Sequence, residues 1–325
     1  MTGDALPHTL GLDIGGTKTA VSRLTADGRV EEVARFPTTT REATLDRAFR
    51  ELRSLSAGPG TVVGVSCGGP LDAKRGLILS PPNLEGWADV AICAAIADRF
   101  HCRCFLMNDA NAGALAEWWY GGGVGCHHLV FLTSGTGMGA GFILNGRLYE
   151  GASGDAGEVG HLRLDAEGPV GFGKAGSFEG FCSGGGIARH ARMRLAAPGA
   201  PARWTQAPES VTTQRLAEAA DQGDEFALAL MRESGARLGQ ALALLIDVLN
   251  PERIVIGGFF PPSRHLLEPE MRRVLQQEAL PGALAACQIV PASLGATIGS
   301  HAAIACALYS VGLDPRRIGG GGRNS

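Results

Sequence analysis

The chain has no run of about twenty consecutive apolar residues, so no membrane span is expected. It has no charged start followed by an apolar stretch, so no signal peptide is visible. Neither sign of charge is in excess. The formal net charge is −3 over 325 residues, which removes the electrostatic case for nucleic acid or a membrane surface. None of the cysteines, at 67, 93, 102, 104, 126, 182, 287 and 306, forms a CxxC pair. Buried free cysteine behaves as a small hydrophobe, and the set reads as reduced thiols of a cytoplasmic protein. Also absent are the GxxxxGK[ST] of a Walker A loop and a Rossmann fingerprint, which needs a helix directly after its glycines.

What is present is apolar residues and glycine. Apolar content is 45%, enough for a sizeable core, and the length suits one large or two medium domains. Glycine accounts for 48 residues, about twice average usage. The glycines cluster at the ends of apolar runs, which favours functional turns over a flexible linker.

The organising stretch is Cys104-Phe105-Leu106-Met107-Asn108-Asp109-Ala110-Asn111. Phe105 to Met107 reads as a short buried strand, and an Ala- and Leu-rich helix follows from Ala110 to about Trp119. In open α/β sheets, ligands bind where strands end and helices begin. Asp109 there is either a helix cap or a general base that takes a proton from a substrate hydroxyl. Near the start, Asp13-Ile14-Gly15-Gly16-Thr17-Lys18 lies between two short strands. Paired glycines let backbone amides approach a phosphate. Thr17 adds a hydroxyl, and Asp13 can hold magnesium directly or through water. The competing reading is an ordinary hairpin turn. A second unit of the same kind follows a strand at His128 to Leu132. It is Thr133-Ser134-Gly135-Thr136-Gly137-Met138-Gly139, which runs into another strand. Two such units suggest two related α/β halves able to clamp a nucleotide.

Helical periodicity predicts helices over 42–56, 88–100, 214–222, 224–249 (capped by Asp224) and 266–278, with a final one opening at Gly295–Gly299. Strands are expected at 61–66, 253–256 and 288–291. The strand at 61–66 ends in a Gly-rich turn holding Gly69, and the one at 253–256 ends at Gly257-Gly258. Residues 80–87 form a loop with Asn83, whose Trp87 either lines a ligand or covers the core. Trp118 to Gly123 marks a domain boundary, 198–213 a surface loop, and the tail from 313 a disordered segment.

Asp13 to Lys18, Asn108-Asp109-Ala110-Asn111-Ala112, Thr133 to Gly139 and Gly154-Asp155-Ala156-Gly157-Glu158-Val159-Gly160-His161 together resemble the ROK family. That family contains bacterial glucokinase-like sugar kinases and sugar-responsive repressors of the actin-like ATPase superfamily. The resemblance covers about residues 9 to 312. It implies two actin-like (ribonuclease H-like) α/β domains with a cleft between them. The smaller would span 1–118, completed by helix 299–312; the larger would span 119–298. Because the first phosphate turn begins within fifteen residues of Met1, the kinase branch is expected over the repressors, which carry an N-terminal DNA-binding module.

The resemblance further implies an ATP-dependent hexose kinase with Asp109 as base. Gly69, Asn83, Asn108, Glu158, His161 and Glu179 would contact the sugar. Asp13, Gly15, Gly16, Thr17, Lys18, Thr133, Gly135, Thr136, Gly137, Gly257 and Gly258 would hold ATP and Mg2+. Glucose is the first expectation, ahead of N-acetylmannosamine, N-acetylglucosamine, mannose or fructose, and polyphosphate is a second possible donor. A homodimer without nucleic-acid or membrane partners is expected. The rival class is a non-catalytic sugar sensor on the same fold. One departure stands out. The family's zinc loop, CxCGxxGCxE, reads here Val170-Gly171-Phe172-Gly173-Lys174-Ala175-Gly176-Ser177-Phe178-Glu179. Zinc takes thiolate, imidazole or carboxylate ligands, and valine and phenylalanine supply none. No structural zinc is expected, and packing of Phe172, Phe178 and Phe181 is expected to hold the loop.

Overall fold

The computed structural model describes residues 6–318 apart from 197, 199–200, 202–203 and 205–207. Contacts divide it into two compact units. One takes the chain up to Val124 and again from Leu294; the other is Gly125–Ser293.

The first unit is built on a five-stranded sheet of β1 (Thr9–Ile14), β2 (Lys18–Leu24), β3 (Val30–Pro37), β4 (Val62–Cys67) and β7 (Arg103–Asn108), ordered β3-β2-β1-β4-β7. A two-stranded ribbon, β5 (Leu71–Asp72) and β6 (Leu77–Ile78), stands apart from it. β2 and β3 are antiparallel additions, whereas β1, β4 and β7 run parallel. Parallel strands are covered on both faces and read as continuous apolar runs, as Val62–Cys67 does with every residue buried. One face packs on α1 (Arg41–Ser54) and α2 (Ile92–Phe100) through Phe49, Leu52, Ile92 and Ile96. Trp87 is 1% exposed in the same cluster, so it covers the core.

The other face takes the closing helix Ile298–Ser310, which packs on β1 and β4 backbone to backbone. A Cβ on Gly11 would lie 2.8 Å from the Ala303 Cβ, and one on Gly64 would strike the Ala303 carbonyl oxygen. Small residues on both sides, with Ala302, Ala303, Ala305 and Ala307 buried, make that approach possible.

The second unit repeats the plan. Its sheet has β8 (Leu129–Ser134), β9 (Met138–Leu144), β10 (Arg147–Tyr149), β13 (Arg253–Ile256) and β14 (Gln288–Pro291), ordered β10-β9-β8-β13-β14. Third, second, first, fourth, fifth is the strand order of the first unit too. Both units are therefore α/β with the actin-like (ribonuclease H-like) pattern. The core joins Val130, Leu132 and Ile256 to Phe178 and Phe181 of α4 (Phe178–Cys182) and its approach. It also takes Leu238, Leu242 and Ile246 of the helix Glu225–Leu249. Asp224 caps that helix by accepting the Ala227 N–H. No helix among the described residues is long and apolar enough to cross a membrane.

Several expectations need correcting. The boundary expected after residue 118 falls inside α3 (Asp109–Tyr120), and the units divide after Val124 and before Leu294 instead. Buried Glu117 accepts the N–H groups of Gly122 and Leu294, where the chain leaves and re-enters the first unit. The helix expected at 266–278 begins at Phe260, because prolines fit the first turn of a helix. In the expected loop 198–213, Trp204 is buried against Phe226, its indole donating to Asp224. Within the expected tail 313–325, Pro315–Ile318 is helical and Arg316 lies over the Trp118 ring; residues 319–325 lie outside the described residues.

Candidate active site

In the first unit the three parallel strands end side by side. Register pairs Asp13 with Ser66 and Ile14 with Cys67, then Ser66 with Met107 and Cys67 with Asn108. Adjacent strand ends thus deliver Asp13, the Gly68-Gly69 turn, Asn108 and Asp109 to one edge. Asn108, not Asp109, caps α3: its Oδ1 accepts the Ala110 N–H at 2.9 Å. Asp109 is the first residue of the helix, and its Oδ2 lies 3.6 Å from where a Gly68 Cβ would stand. Solvent reaches this carboxylate, but the protein around it raises its pKa above the ordinary value by desolvation, against backbone N–H groups of the helix start. Gly69, joined to Pro70 by a cis peptide bond, faces the Asn108 amide.

The first turn, Gly15–Thr17, is braced from β3. Thr38 donates its hydroxyl to the Gly15 carbonyl at 2.7 Å and its N–H to the Thr17 carbonyl at 3.0 Å. Gly16, Thr17 and Lys18 are exposed. Asn83 comes here as well: a Gly16 Cβ would lie 2.6 Å from the Asn83 carbonyl oxygen. Asn83, expected at the sugar, has its backbone against the Gly15–Thr17 turn. Asp13 sits under the first turn of the closing helix, where any side chain on Gly299 would strike its carboxylate. Burial pushes its pKa up to about 6, with Ser66 opposing and the Asp109 charge adding to the rise. A carboxylate this poorly solvated beside a second one suits a divalent cation, and Mg2+ is normally held by one or two carboxylates with phosphate oxygens.

In the second unit Gly135 and Thr136 lie exposed at the tip between β8 and β9, with Thr133 at the end of β8. Two further segments close around this turn. Gly258 presses on Ser134, and the Phe259 N–H reaches the Ser134 carbonyl at 2.7 Å, which brings Gly257-Gly258 to the turn. From the other side comes Ser183 with Gly184, Gly185 and Gly186, opening α5 (Gly184–Leu195). The Ser183 hydroxyl donates to the Thr136 carbonyl at 3.3 Å, and the Gly185 N–H to that of Gly135 at 3.4 Å. Sequence reasoning missed this element. Its signal was present, a serine cap before three consecutive glycines.

Glu158 precedes and His161 ends a short 3-10 turn, Val159–His161, held along β9 by Gly157 and Ala140. Glu158 is exposed; the His161 ring is half-buried and meets the Phe172 ring edge-on at 5.2 Å. Glu179, expected at the sugar, also contacts the second turn. Its Oε2 accepts the Met138 N–H at 3.1 Å and lies 2.9 Å from a Gly137 Cβ, and Arg189 faces Oε1 at 3.6 Å.

The loop before Glu179 departs from expectation. Phe178 and Phe181 are core, but Phe172 is 64% exposed, with φ of 44°. What holds the loop is a hairpin, β11 (Val170–Gly171) with β12 (Lys174–Ala175), bonded to its neighbours through backbone carbonyls. Its residues do not fit a zinc ion. Val170 and Phe172 have no donor atom, and the Ser177 hydroxyl is buried as the cap of α4, accepting the Gly180 N–H at 3.1 Å. Cys182 is buried with its thiol against the Ser234 carbonyl.

The ROK family model matches residues 9–309. A glucokinase of Thermotoga maritima is 30% identical over 292 residues, spanning 88% of this chain and 92% of that protein. An N-acetylmannosamine kinase of Escherichia coli is 34% identical over 254 residues, spanning 77% and 82%. A xylose repressor of Caldicellulosiruptor bescii is 30% identical over 67% of this chain and 55% of that protein. Among solved structures, a ROK family glucokinase from Streptomyces griseus in complex with glucose and AMPPNP matches with a TM-score of 0.73. Its identity is 28%, over 92% of this chain and 98% of that one.

Proposed function

This chain belongs to the ROK family, and from that premise we propose that it transfers the γ-phosphate of ATP to a hydroxyl of a hexose, glucose first. The observation that carries this reading is the division of labour at Asn108 and Asp109. Asn108 satisfies the helix start, so Asp109 keeps a solvent-reached carboxylate at the ends of three parallel strands. Its pKa is raised above that of an ordinary aspartate by desolvation, which makes it a better proton acceptor. Asp109 takes the hydroxyl proton as the sugar oxygen attacks the γ-phosphorus. The amides of Gly15, Gly16 and Thr17 with Lys18, and those of Gly135, Thr136 and Gly137 with Thr133, cradle phosphate oxygens, and Gly257-Gly258 lies toward the adenosine. Catalysis of this kind is mostly positioning and charge stabilisation. Asp13 would hold magnesium, directly or through water, and the ion would neutralise charge on the phosphates. Asn108, Gly69, Glu158, His161 and Glu179 hydrogen-bond the sugar, with Asn83 at the border of sugar and phosphate. A wrong epimer leaves buried partners unpaired.

A second reading, an N-acylhexosamine kinase, is favoured by the similarity to N-acetylmannosamine kinase. ADP release from ATP measured across glucose, mannose, fructose, N-acetylglucosamine and N-acetylmannosamine separates these, and formation of the sugar phosphate is the readout when polyphosphate replaces ATP. Sugar binding without turnover would instead make the chain a sensor. Asp109→Asn is expected to lower kcat by roughly 10²–10⁴, the usual worth of a general base, with sugar affinity changing far less. Near-normal turnover in a folded Asp109→Asn protein would end the assignment.

A further inference from the structure

Where relatives of this fold are expected to clasp the loop with zinc, this chain presents cations aimed at backbone carbonyls. Lys174 Nζ donates to the His161 carbonyl at 2.7 Å. Arg163 Nη1 donates to the Ala175 carbonyl at 2.8 Å. Arg189 Nε donates to the Val170 carbonyl at 3.1 Å, while its Nη2 faces the Glu179 carboxylate. An isolated exposed cation on a carbonyl is usually worth little, as is an exposed ion pair. Here Arg163 and Arg189 reach the six-residue hairpin Val170–Ala175 from two different segments, and Lys174 reaches out of it to a third point. Lys174 ties the hairpin to the segment ending in His161, a link a zinc ion would also have made, and Arg189 ties it to Glu179. Glu179 in turn holds the Met138 N–H at the base of the second phosphate turn. The chain of contacts runs from His161 through Lys174, the hairpin, Arg189 and Glu179 to the turn.

We propose that Lys174, Arg163 and Arg189 replace the metal as cross-links, and that Lys174 and Arg189 are positioning residues that set His161 and Glu179 relative to the phosphate turn. Hydrogen bonds from charged donors are the stronger class, and three of them fix a short hairpin without a thiolate. The sugar-binding part of this inference rests on the function proposed above; the cross-linking part does not. It also makes the loop indifferent to chelation, because no donor set for zinc is present.

The test uses the full chain and the variants Lys174→Met and Arg189→Met, which keep the stems and remove the charges, with Lys174→Arg as the conservative control. Amide exchange by mass spectrometry is followed in peptides covering 134–140, 158–163 and 170–177, with Arg253–Ile256 and Glu225–Leu249 as references. Exchange should quicken about tenfold in the three loop peptides and stay unchanged in the references. The dissociation constant for glucose, or for the best sugar of the panel, should rise about tenfold while kcat at saturation changes less, and Lys174→Arg should recover most of the loss. Unchanged exchange in the loop peptides overturns the proposal, as does equal quickening in the reference strand, which would make the residues merely structural. One zinc per chain by elemental analysis, lost together with sugar binding on chelation, overturns it too. If no sugar binds even the unaltered protein, the kinase reading fails, while the exchange measurement still decides the cross-links.

Discussion

Asn108 and Asp109 were both legible as a polar stop between a strand and a helix, but not which of them would cap. A cap needs extended backbone and a side chain that turns onto the amide two or three residues on; Asn108 has both. Asp13 shows a cost of the same kind. Its carboxylate ionises at about 6 in the folded chain against 3.8 when unfolded. Since the folded pKa is raised, the penalty is absent below 3.8, grows between 3.8 and 6, and is complete above 6, reaching at most about 3 kcal/mol. Melting of the metal-free protein should therefore fall between pH 4 and 6.5, and Asp13→Asn should flatten that fall while weakening Mg-ATP binding. Parallel melting curves for the two proteins across that range would show that Asp13 is not the group responsible. Phe172 is a bulky residue in the left-handed region with most of its ring in water. Asparagine tolerates that backbone, so Phe172→Asn should stabilise the protein by about 1 kcal/mol, seen as a small rise in Tm. A fall would mean that the contact with His161 outweighs the strain.

At the scale of elements, the two Gly/Thr turns were readable because glycine at the end of an apolar run is a local signal. What each glycine faces was not. Valine at 137 would be expected, from the sequence, to block only phosphate. In the fold its side chain meets the Glu179 carboxylate first, so Gly137→Val should weaken sugar and nucleotide together. Gly135 has open space where a side chain would go. Gly135→Val is the cleaner probe, expected to weaken ATP binding by about tenfold, or about 1.4 kcal/mol, with sugar affinity nearly constant. Calorimetry with each ligand checks this; unchanged ATP affinity would make the turn a structural hairpin. The hairpin before Glu179 shows the opposite failure of local reading. Three phenylalanines suggested aromatic packing, but Phe172 lies in the turn between two short strands and points away from the core.

For the whole molecule, the first sheet is complete by Asn108, but its unit is closed only by a helix near the far end of the chain. The first unit waits for the closing helix, which packs on Gly11 and Gly64 from the far end of the chain. Gly64→Ala pushes a methyl into the Ala303 backbone, which cannot swing aside as a side chain would. We expect a loss of about 3 kcal/mol, the upper end for overpacking, visible as a lower Tm. A change within experimental error would mean that the helix rides more loosely on the sheet. By itself the sequence determined what depends on near neighbours along the chain: the parallel strands from their apolar runs, the turns from their glycines, and four motifs in an order that marks the ROK family. Tertiary structure decided what depends on atoms far apart in the chain. Among these are the carbonyl each cation reaches, the amide that Glu179 accepts, and the strand glycine that must stay bare beneath a helix. Periodicity and turn propensity act within a few residues, whereas hydrogen bonds and steric limits act over a few ångströms, whatever the length of chain between the partners.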